Sequence, residues 1–216
     1  MDIMVMIEKL AGGMLVSIEI FVLTLLFSLP LGMVVAFARM SKVKIISALA
    51  KLYISVLRGT PLMLQLMVVY FGPFFIFGMR ITSSYRFIAV IIGFVLNYAA
   101  YYAEIYRSGI ESMPVGQYEA AKVLGYNKVQ TFWKIILPQV IKRILPTLTN
   151  EAITLVKDTS LATVVALPEM FFEAEKIAAA NTTMLPFVIA FIFYYVFNFI
   201  VAYVMEFFEK KMSYFA

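Results

Sequence analysis

The sequence contains no cysteine and no histidine. Disulfide bonds and thiolate metal sites are therefore excluded, and zinc sites and general-base catalysis lose their commonest side chains. Charged residues are also scarce, at 14% of the 216 residues, whereas 63% are hydrophobic. In a soluble domain about a quarter of the residues are charged and about half are hydrophobic. The sequence predicts a membrane protein that binds no metal or cofactor of its own.

The chain also lacks a phosphate-binding loop. No G-x-x-x-x-G-K-[ST] pattern occurs, and no glycine is followed by lysine, although P-loop ATPases need this loop to hold the phosphates of ATP. Uphill transport by this chain would therefore need ATP and magnesium bound by a separate subunit. An intramembrane enzyme is disfavoured, because without His, Cys or G-x-S-x-G only an aspartyl or Ser-Lys site is conceivable.

Apolar stretches long enough to cross about 30 Å of hydrocarbon follow one another along the chain. The runs 20–38, 59–79, 87–103 and 177–205 carry no charge, and 144–167 is long enough although it carries three charged residues. Acidic residues near the N-terminus do not suit a cleaved signal peptide. We predict an all-α membrane protein that forms one domain over 1–216, with five transmembrane helices at about 14–38, 54–78, 86–108, 144–167 and 184–207.

The lysines and arginines are distributed unevenly between the two sides of this arrangement. Twelve lie after the first span, after the third span and in the C-terminal tail, whereas four lie on the opposite side among acidic residues. The positive-inside rule then predicts an N-terminus outside and a C-terminus in the cytoplasm. Because the basic residues are scattered between apolar segments, the net charge of +5 does not indicate a nucleic-acid partner.

The segment at about 111–143 has the pattern of a cytoplasmic helical hairpin. Pro114 suits a first helical turn, and Gly125 suits the left-handed residue that ends a helix. Asn127 can cap a second helix with Gln130 as its partner, and Pro138 is expected to kink or end that helix. An apolar stripe at helical spacing is formed by Val129, Phe132, Trp133 and Ile136. Two interpretations remain open: a hairpin packed on its own bundle, or a docking element for a cytoplasmic partner.

Several motifs carry a resemblance to a known family. The sequence Glu119-Ala120-Ala121, then Gly125, then ILP at 136–138 resembles the EAA loop of the permeases of ATP-binding-cassette (ABC) importers. RGTP at 58–61 with QL at 65–66, YYAEIYR at 101–107 and KDTSL at 157–161 resemble the polar amino acid branch of that family. The resemblance extends from about residue 12 to the C-terminus.

The resemblance implies a membrane-spanning permease subunit of an importer for polar amino acids in the bacterial cell membrane. It implies three partners: an ABC ATPase subunit, an extracytoplasmic amino-acid-binding protein, and a second copy of the chain or a sister permease. The coupling residues that it implies for the ATPase contact are Glu119, Ala120, Ala121 and Gly125. The alternative is a stand-alone secondary transporter or channel, which would not need the hairpin; five helices without an inverted repeat are few for a secondary transporter.

Polar residues within the predicted spans indicate a polar pathway, because a charge in hydrocarbon is costly unless it faces a cavity or a partner. On the fourth span, polar residues recur at helical spacing from Thr147 to Asp158 and share one face. Pro61 is expected to break the backbone near Arg58 and to free groups that only protein or a cavity can satisfy. For Arg58, Lys157 and Asp158, an internal salt bridge remains an equal alternative to substrate contact. The predicted substrate-binding residues are Arg58, Thr60, Asn97, Tyr98, Asn150, Glu151, Thr154, Thr159 and Ser160.

Charge on the polar face suggests a substrate preference. The Arg58 guanidinium can hold a substrate carboxylate through two parallel hydrogen bonds, and Glu151 adds a negative charge on the polar face of the fourth span. A cationic side chain is the most useful partner for a buried carboxylate. We therefore predict a preference for arginine, lysine or protonated histidine, with Glu104 as the alternative residue for this role.

Overall fold

The structure, a computed structural model, describes residues 2–80 and 82–212, and every regular element in these two ranges is a helix. The predicted all-α class is thereby confirmed. The α-helices described are α1 (Ile3–Arg39), α2 (Lys44–Gly59), α3 (Leu62–Phe77), α4 (Ser83–Glu111), α5 (Val115–Val123), α6 (Lys128–Thr131), α7 (Leu137–Asp158), α8 (Met170–Asn181) and α9 (Leu185–Met212). A π-helical turn, Phe132–Ile136, joins α6 to α7, and a 3-10 segment, Thr159–Val165, continues α7.

Three of these helices are long and apolar enough to cross a membrane: α1, α4 and α9. The most apolar part of α4 is 56% buried, whereas that of α9 is only 11% buried. α4 is therefore the central helix, and α9 turns most of its apolar surface outward, as a helix surrounded by lipid does. Gly32 brings α1 close to α4, because a Cβ atom at this position would lie 2.7 Å from Cβ of Tyr102.

The second predicted span, 54–78, is broken in the structure. α2 and α3 meet the length and apolarity criterion only together, and their axes are bent by 110°. Thr60 and Pro61 between them have extended backbones. Pro61 lacks an N–H group, and its ring disfavours helical geometry at the preceding residue. The break predicted near Arg58 is thus confirmed, whereas one straight helix over 54–78 is not what the chain forms.

The fourth predicted span, 144–167, corresponds to most of α7 and the 3-10 segment that follows. α7 alone is not among the helices apolar enough to cross a membrane, because one of its faces is polar. It packs between α4 and α9, and Gly109 lets it approach closely: a Cβ atom there would lie 2.4 Å from Cγ2 of Ile144. Three described helices, or four with the bent pair, meet the criterion, and the count of five spans and their orientation stay predictions.

The first half of the predicted hairpin is α5, which begins directly after Pro114. It ends in a Schellman motif, in which the Tyr126 N–H donates to the carbonyl of Ala121 and the Gly125 N–H to that of Lys122, both at 3.0 Å. Gly125 has a φ angle of +81°. The predicted left-handed residue is therefore present, and it lets the chain reverse direction.

The second half of the hairpin begins at the capping box predicted for Asn127 and Gln130, whose reciprocal hydrogen bonds are 2.9 and 3.0 Å long. Pro138 does not end the helix, contrary to one of the two expectations. The π-helical turn ends two residues before it, where the Leu137 N–H donates to the Phe132 carbonyl, and the chain continues helically past the proline, whose N–H is missing. The chain therefore continues from the hairpin into α7.

A buried carboxylate attaches α8 to its neighbours. Glu169 caps α8 by accepting hydrogen bonds from the Phe171 and Phe172 N–H groups at 2.9 and 2.7 Å. The same carboxylate accepts from the Ser17 hydroxyl of α1 at 3.2 Å and the Tyr194 hydroxyl of α9 at 2.9 Å. This one side chain therefore ties three helices together.

Candidate functional site

A cavity of about 390 Å³ lies where the α2–α3 break faces α4 and α7. It is lined by Thr60, Pro61, Leu62, Asn97, Tyr98, Tyr101, Glu151, Thr154, Asp158 and Leu161. Five of the nine predicted substrate-binding residues are among them: Thr60, Asn97, Tyr98, Glu151 and Thr154. The tertiary structure thus collects polar groups from three separate stretches of sequence at one place.

Two amide side chains satisfy the backbone at the α2–α3 break. The Gln65 amide donates to the carbonyls of Leu57 at 2.8 Å and Thr60 at 3.0 Å. Asn97 of α4 donates to the same Leu57 carbonyl at 3.1 Å and to Oε1 of Gln65 at 2.9 Å. The Thr60 hydroxyl accepts from Gln65 at 2.8 Å and donates to the Val56 carbonyl at 2.8 Å. The carbonyls freed by the break are thus satisfied by protein groups, as predicted, and Asn97 belongs to this support as well as to the cavity wall.

Two carboxylates of α7 line the cavity. Glu151 and Asp158 are seven residues apart and so lie on one face, two turns from each other. The Tyr98 hydroxyl donates to Oδ2 of Asp158 at 2.8 Å. Lys157 is exposed and is not part of the wall, and none of the lining residues is cationic. The wall of the cavity therefore carries two acidic groups and no basic one.

Arg58 lies beside this wall and is held loosely. Its Nη1 atom is 4.0 Å from Oε2 of Glu104, and its guanidinium is 5.1 Å from the centre of the Tyr101 ring. Glu104 has a closer partner, because Arg107 donates to both of its carboxylate oxygens, at 2.7 and 3.2 Å. The internal ion pair considered for Arg58 is present but long, and Glu104 serves mainly as the partner of Arg107.

The three remaining predicted residues do not line the cavity. Asn150 is exposed, and its carbonyl accepts from the Thr154 hydroxyl at 2.9 Å. Thr159 is fully buried, and the hydroxyls of Thr159 and Ser160 each donate to a carbonyl three residues earlier, at 2.9 and 2.8 Å. Both residues lie in the 3-10 segment that follows α7, beyond the polar face that ends at Asp158.

Sequence reasoning missed several residues of the site. Asp158 lies on the predicted polar face, with substrate contact and a salt bridge as equal alternatives, but it is not among the predicted substrate-binding residues; Tyr101 is not among them either, and both line the cavity. Gln65 follows the RGTP motif at the spacing of one helical turn after Pro61, and this was the available signal for its role at the break. The apolar wall residues Leu62 and Leu161 have no signal in the sequence that separates them from the core.

The predicted coupling residues lie on α5 and at its end. Glu119 and Ala120 are exposed, whereas Ala121 is only 1% exposed and packs within the chain. Gly125 supplies the left-handed turn described above. Partial burial raises the pKa of the Tyr118 phenol on the same helix. Large apolar side chains are exposed around them: Val115, Val123, Leu124, Val129 and Trp133.

The apolar stripe of the second hairpin helix has two sides. Ile136 is buried, and the Phe132 ring packs edge-to-face on Phe37 of α1 with 5.3 Å between centroids. Val129 and Trp133 are exposed. Half of the stripe therefore attaches the hairpin to its own bundle, while the other half leaves apolar surface uncovered within the described part of the chain.

Comparison with known proteins gives a consistent result. Residues 28–214 match the family described as "Binding-protein-dependent transport system inner membrane component". The chain is 34% identical to the L-cystine transport system permease protein TcyB of Bacillus subtilis (strain 168), with 94% of this chain and 86% of the relative covered. It is 37% identical to the arginine transport system permease protein ArtQ of the same strain, with 93% and 91% covered.

A solved structure has the same fold. It is described as "Crystal structure of an amino acid ABC transporter with histidines" and superposes on this chain with a TM-score of 0.85 at 31% identity. The comparison covers 98% of this chain and 99% of the other. The fold that the two proteins share therefore extends over nearly the whole of this chain.

Proposed function

The chain belongs to the family of inner membrane components of binding-protein-dependent transport systems, and from this premise we propose that its cavity binds a basic amino acid during transport. The protein is the permease subunit of an amino-acid ABC transporter in the inner membrane, and ATP hydrolysis takes place in a separate subunit. A stand-alone transporter or channel does not fit this membership. The family also implies a substrate-binding protein as a partner.

The observation that carries the proposal is the pair of carboxylates in the cavity wall. Glu151 and Asp158 bring two carboxylates to the wall, whereas no lining residue is cationic. Arg58 lies beside the wall and is already paired with Glu104 at 4.0 Å. The cationic side chain of an arginine or lysine substrate would balance charge on the wall carboxylates, whereas a neutral amino acid would leave them uncompensated in a poorly solvated place, which costs free energy.

The roles proposed for these groups follow from their positions. The guanidinium or ammonium group of the substrate would bind between Glu151 and Asp158. The loosely held Arg58 could turn from Glu104, which keeps its hydrogen bonds from Arg107, to bind the substrate carboxylate. The relatives TcyB and ArtQ are described for L-cystine and for arginine, respectively, so family membership leaves the choice of side chain to the residues of the cavity.

The hairpin is proposed as the contact with the ATPase. Its exposed face combines Glu119 and Ala120 with uncovered apolar side chains such as Val123 and Leu124, and an apolar patch of this kind on a polar segment is typical of a docking surface. Ala121 and Gly125 would then support the shape of α5 from within. We further propose that two permease chains, identical or sister chains, assemble with the hairpins on the cytoplasmic side, where ATP and magnesium are bound by the partner subunit.

The basic-substrate proposal is tested by Glu151→Gln, which keeps the shape of the side chain and removes its charge. The variant is assembled with its ATPase and binding protein in proteoliposomes, and ATP-driven uptake of arginine and of glutamine is measured. We expect the half-saturating concentration of arginine to rise about tenfold or more, because hydrogen bonds to charged groups contribute about 1.5–3 kcal/mol. Any glutamine uptake should be unchanged or increased.

The matched control is Glu206→Gln, which removes one negative charge from an exposed part of α9. It should leave arginine uptake within a factor of two of the wild type. If Glu151→Gln leaves arginine uptake unchanged as well, Glu151 is a structural residue and the cationic preference is refuted.

A further inference from the structure

A second cavity, of about 420 Å³, lies at the end of the bundle where α4 and α9 end and α7 begins. Its wall is formed by Met113, Pro138, Gln139, Lys142, Arg143 and Met212. Lys142 is nine residues from Glu151 along α7, which corresponds to about 14 Å of helix. The second cavity shares no lining residue with the first cavity. The charged residues in its wall are basic, whereas those in the wall of the first cavity are acidic.

The two cations of this cavity have no acidic partner among the described residues. Arg143 is fixed in position because its Nη1 atom donates to the carbonyl and the hydroxyl of Ser112 at 2.6 and 2.8 Å. Neither Lys142 nor Arg143 forms an ion pair within residues 2–80 and 82–212. Glu209, the acidic residue nearest to Met212 along α9, accepts a hydrogen bond from Thr149. The cavity therefore carries two positive charges beside an apolar wall.

The ends of the predicted spans indicate the depth of this cavity in the membrane. The spans that correspond to α4 and α9 are predicted to end at about residues 108 and 207. Met113 and Met212 each lie five residues beyond these ends, or about 7–8 Å along a helix axis. The headgroup layer is about 5–8 Å thick on each side of the hydrocarbon, so the predicted spans assign the cavity to the level of lipid phosphates.

We propose that this cavity binds the phosphate of an anionic phospholipid, with Lys142 and Arg143 as its ligands. The apolar part of the wall, formed by Met113, Pro138 and Met212, would contact the upper part of an acyl chain. A soluble phosphate would leave these apolar groups unused, whereas a lipid has both chemistries in one molecule. Basic pockets between transmembrane helices bind anionic headgroups in the same way. The orientation predicted from the charges assigns this lipid to the cytoplasmic leaflet.

The test measures lipid binding to the purified full-length chain by native mass spectrometry. Phosphatidylglycerol and phosphatidylcholine with identical acyl chains are added in turn, and a third series contains inorganic phosphate with phosphatidylglycerol. We expect the wild type to bind phosphatidylglycerol more tightly than phosphatidylcholine. Lys142→Gln should weaken phosphatidylglycerol binding about fivefold, which is the effect expected of one basic residue near an anionic membrane. This change should not disturb folding, because no hydrogen bond in the described part of the chain depends on the Lys142 side chain.

Two further variants complete the test. Arg143→Lys keeps the charge but weakens the anchoring by Ser112, and it should retain a preference for phosphatidylglycerol over phosphatidylcholine. Lys44→Gln removes one exposed positive charge from α2 and should change phosphatidylglycerol binding by less than twofold.

Three results would overturn the proposal. One is equal binding of the two lipids, and another is an unaltered phosphatidylglycerol affinity in Lys142→Gln. The third is displacement of the lipid by millimolar inorganic phosphate, which would identify a site for soluble phosphate. If Lys142→Gln, co-expressed with the ATPase subunit, fails to retain that subunit while lipid binding of the isolated chain is unchanged, the cavity is a protein contact and the lipid assignment is wrong.

Discussion

Replacement of Asn97 by leucine tests whether the amide groups at the α2–α3 break hold the cavity together. The Asn97 amide donates to the Leu57 carbonyl at 3.1 Å and to Oε1 of Gln65 at 2.9 Å. Leucine has a similar size and can make neither hydrogen bond. We expect the variant to be less stable and the two helices to be less firmly joined at the break.

The magnitude follows from what each partner retains. The Leu57 carbonyl keeps a hydrogen bond from Gln65 at 2.8 Å, so its loss is partial. Oε1 of Gln65 loses the donor that Asn97 supplies. Side-chain hydrogen bonds between membrane helices contribute about 0.6 kcal/mol on average and up to about 1.7 kcal/mol. The two losses together should therefore cost about 1–2.5 kcal/mol, or about 2–10 °C in Tm for a chain of this size.

The assay is thermal unfolding of the purified chain in detergent, followed by circular dichroism. The matched control is Thr154→Val, which also removes a polar group from the cavity wall. The Thr154 hydroxyl donates to a carbonyl of its own helix, at Asn150, and holds no second helix. This control should shift Tm by less than about 2 °C, since a surface-like intrahelical hydrogen bond contributes at most about 0.5 kcal/mol.

Transport activity alone cannot decide this question, because both variants alter the cavity wall. The difference in stability between them is the informative quantity. If Asn97→Leu unfolds at the same temperature as Thr154→Val, the carbonyls at the break are not supported by Asn97, and its role in the cavity must be explained by substrate contact alone.

The remaining predictions concern the hairpin, the topology and the helix packing. Gly125→Val forces a β-branched residue to a φ angle of +81°, at a cost of about 1–2 kcal/mol, and should reduce substrate-stimulated ATP hydrolysis of the assembled transporter; normal stimulation would contradict the coupling role. The chain has no cysteine, so single cysteines introduced at Asn127 and Asn181 can be labelled with a membrane-impermeant reagent. In intact cells we expect labelling at position 181 only, and labelling at position 127 would refute the predicted orientation. Gly109→Ala introduces a Cβ atom 2.4 Å from Ile144, and overpacking of this kind typically costs about 1–3 kcal/mol; an unchanged Tm would show that α4 and α7 can separate at this point.

The local features of the hairpin and the break could be predicted because their causes lie within a few residues. Gly125, Asn127 with Gln130, and Pro61 each act on the backbone beside them, and each has the conformation or hydrogen bonds expected for its residue type. The exception is Pro138, where the helix continues through a π-helical turn. Sequence alone could not decide between termination and adjustment, because Ile136 is buried by contacts with distant residues that favour continuation.

The candidate site was only partly predictable. Helical periodicity correctly grouped Glu151, Thr154 and Asp158 on one face of α7. It also grouped Asn150 and Lys157 with them, but both are exposed and neither lines the cavity. A periodicity argument identifies a face of a helix, but the packing of neighbouring helices decides which part of that face encloses a cavity.

The sequence by itself determined the membrane environment, the all-helical class, the family and the need for a separate ATPase, because these depend on composition and short motifs. Only the tertiary structure decided that α2 and α3 form a bent pair. It also decided that Arg58 forms a long ion pair with Glu104, while the carboxylates of Glu151 and Asp158 line the cavity. The physical reason is that such pairings depend on distances between helices far apart in the chain. A charged residue in a span must find a partner, but its sequence does not specify which partner the fold brings within reach.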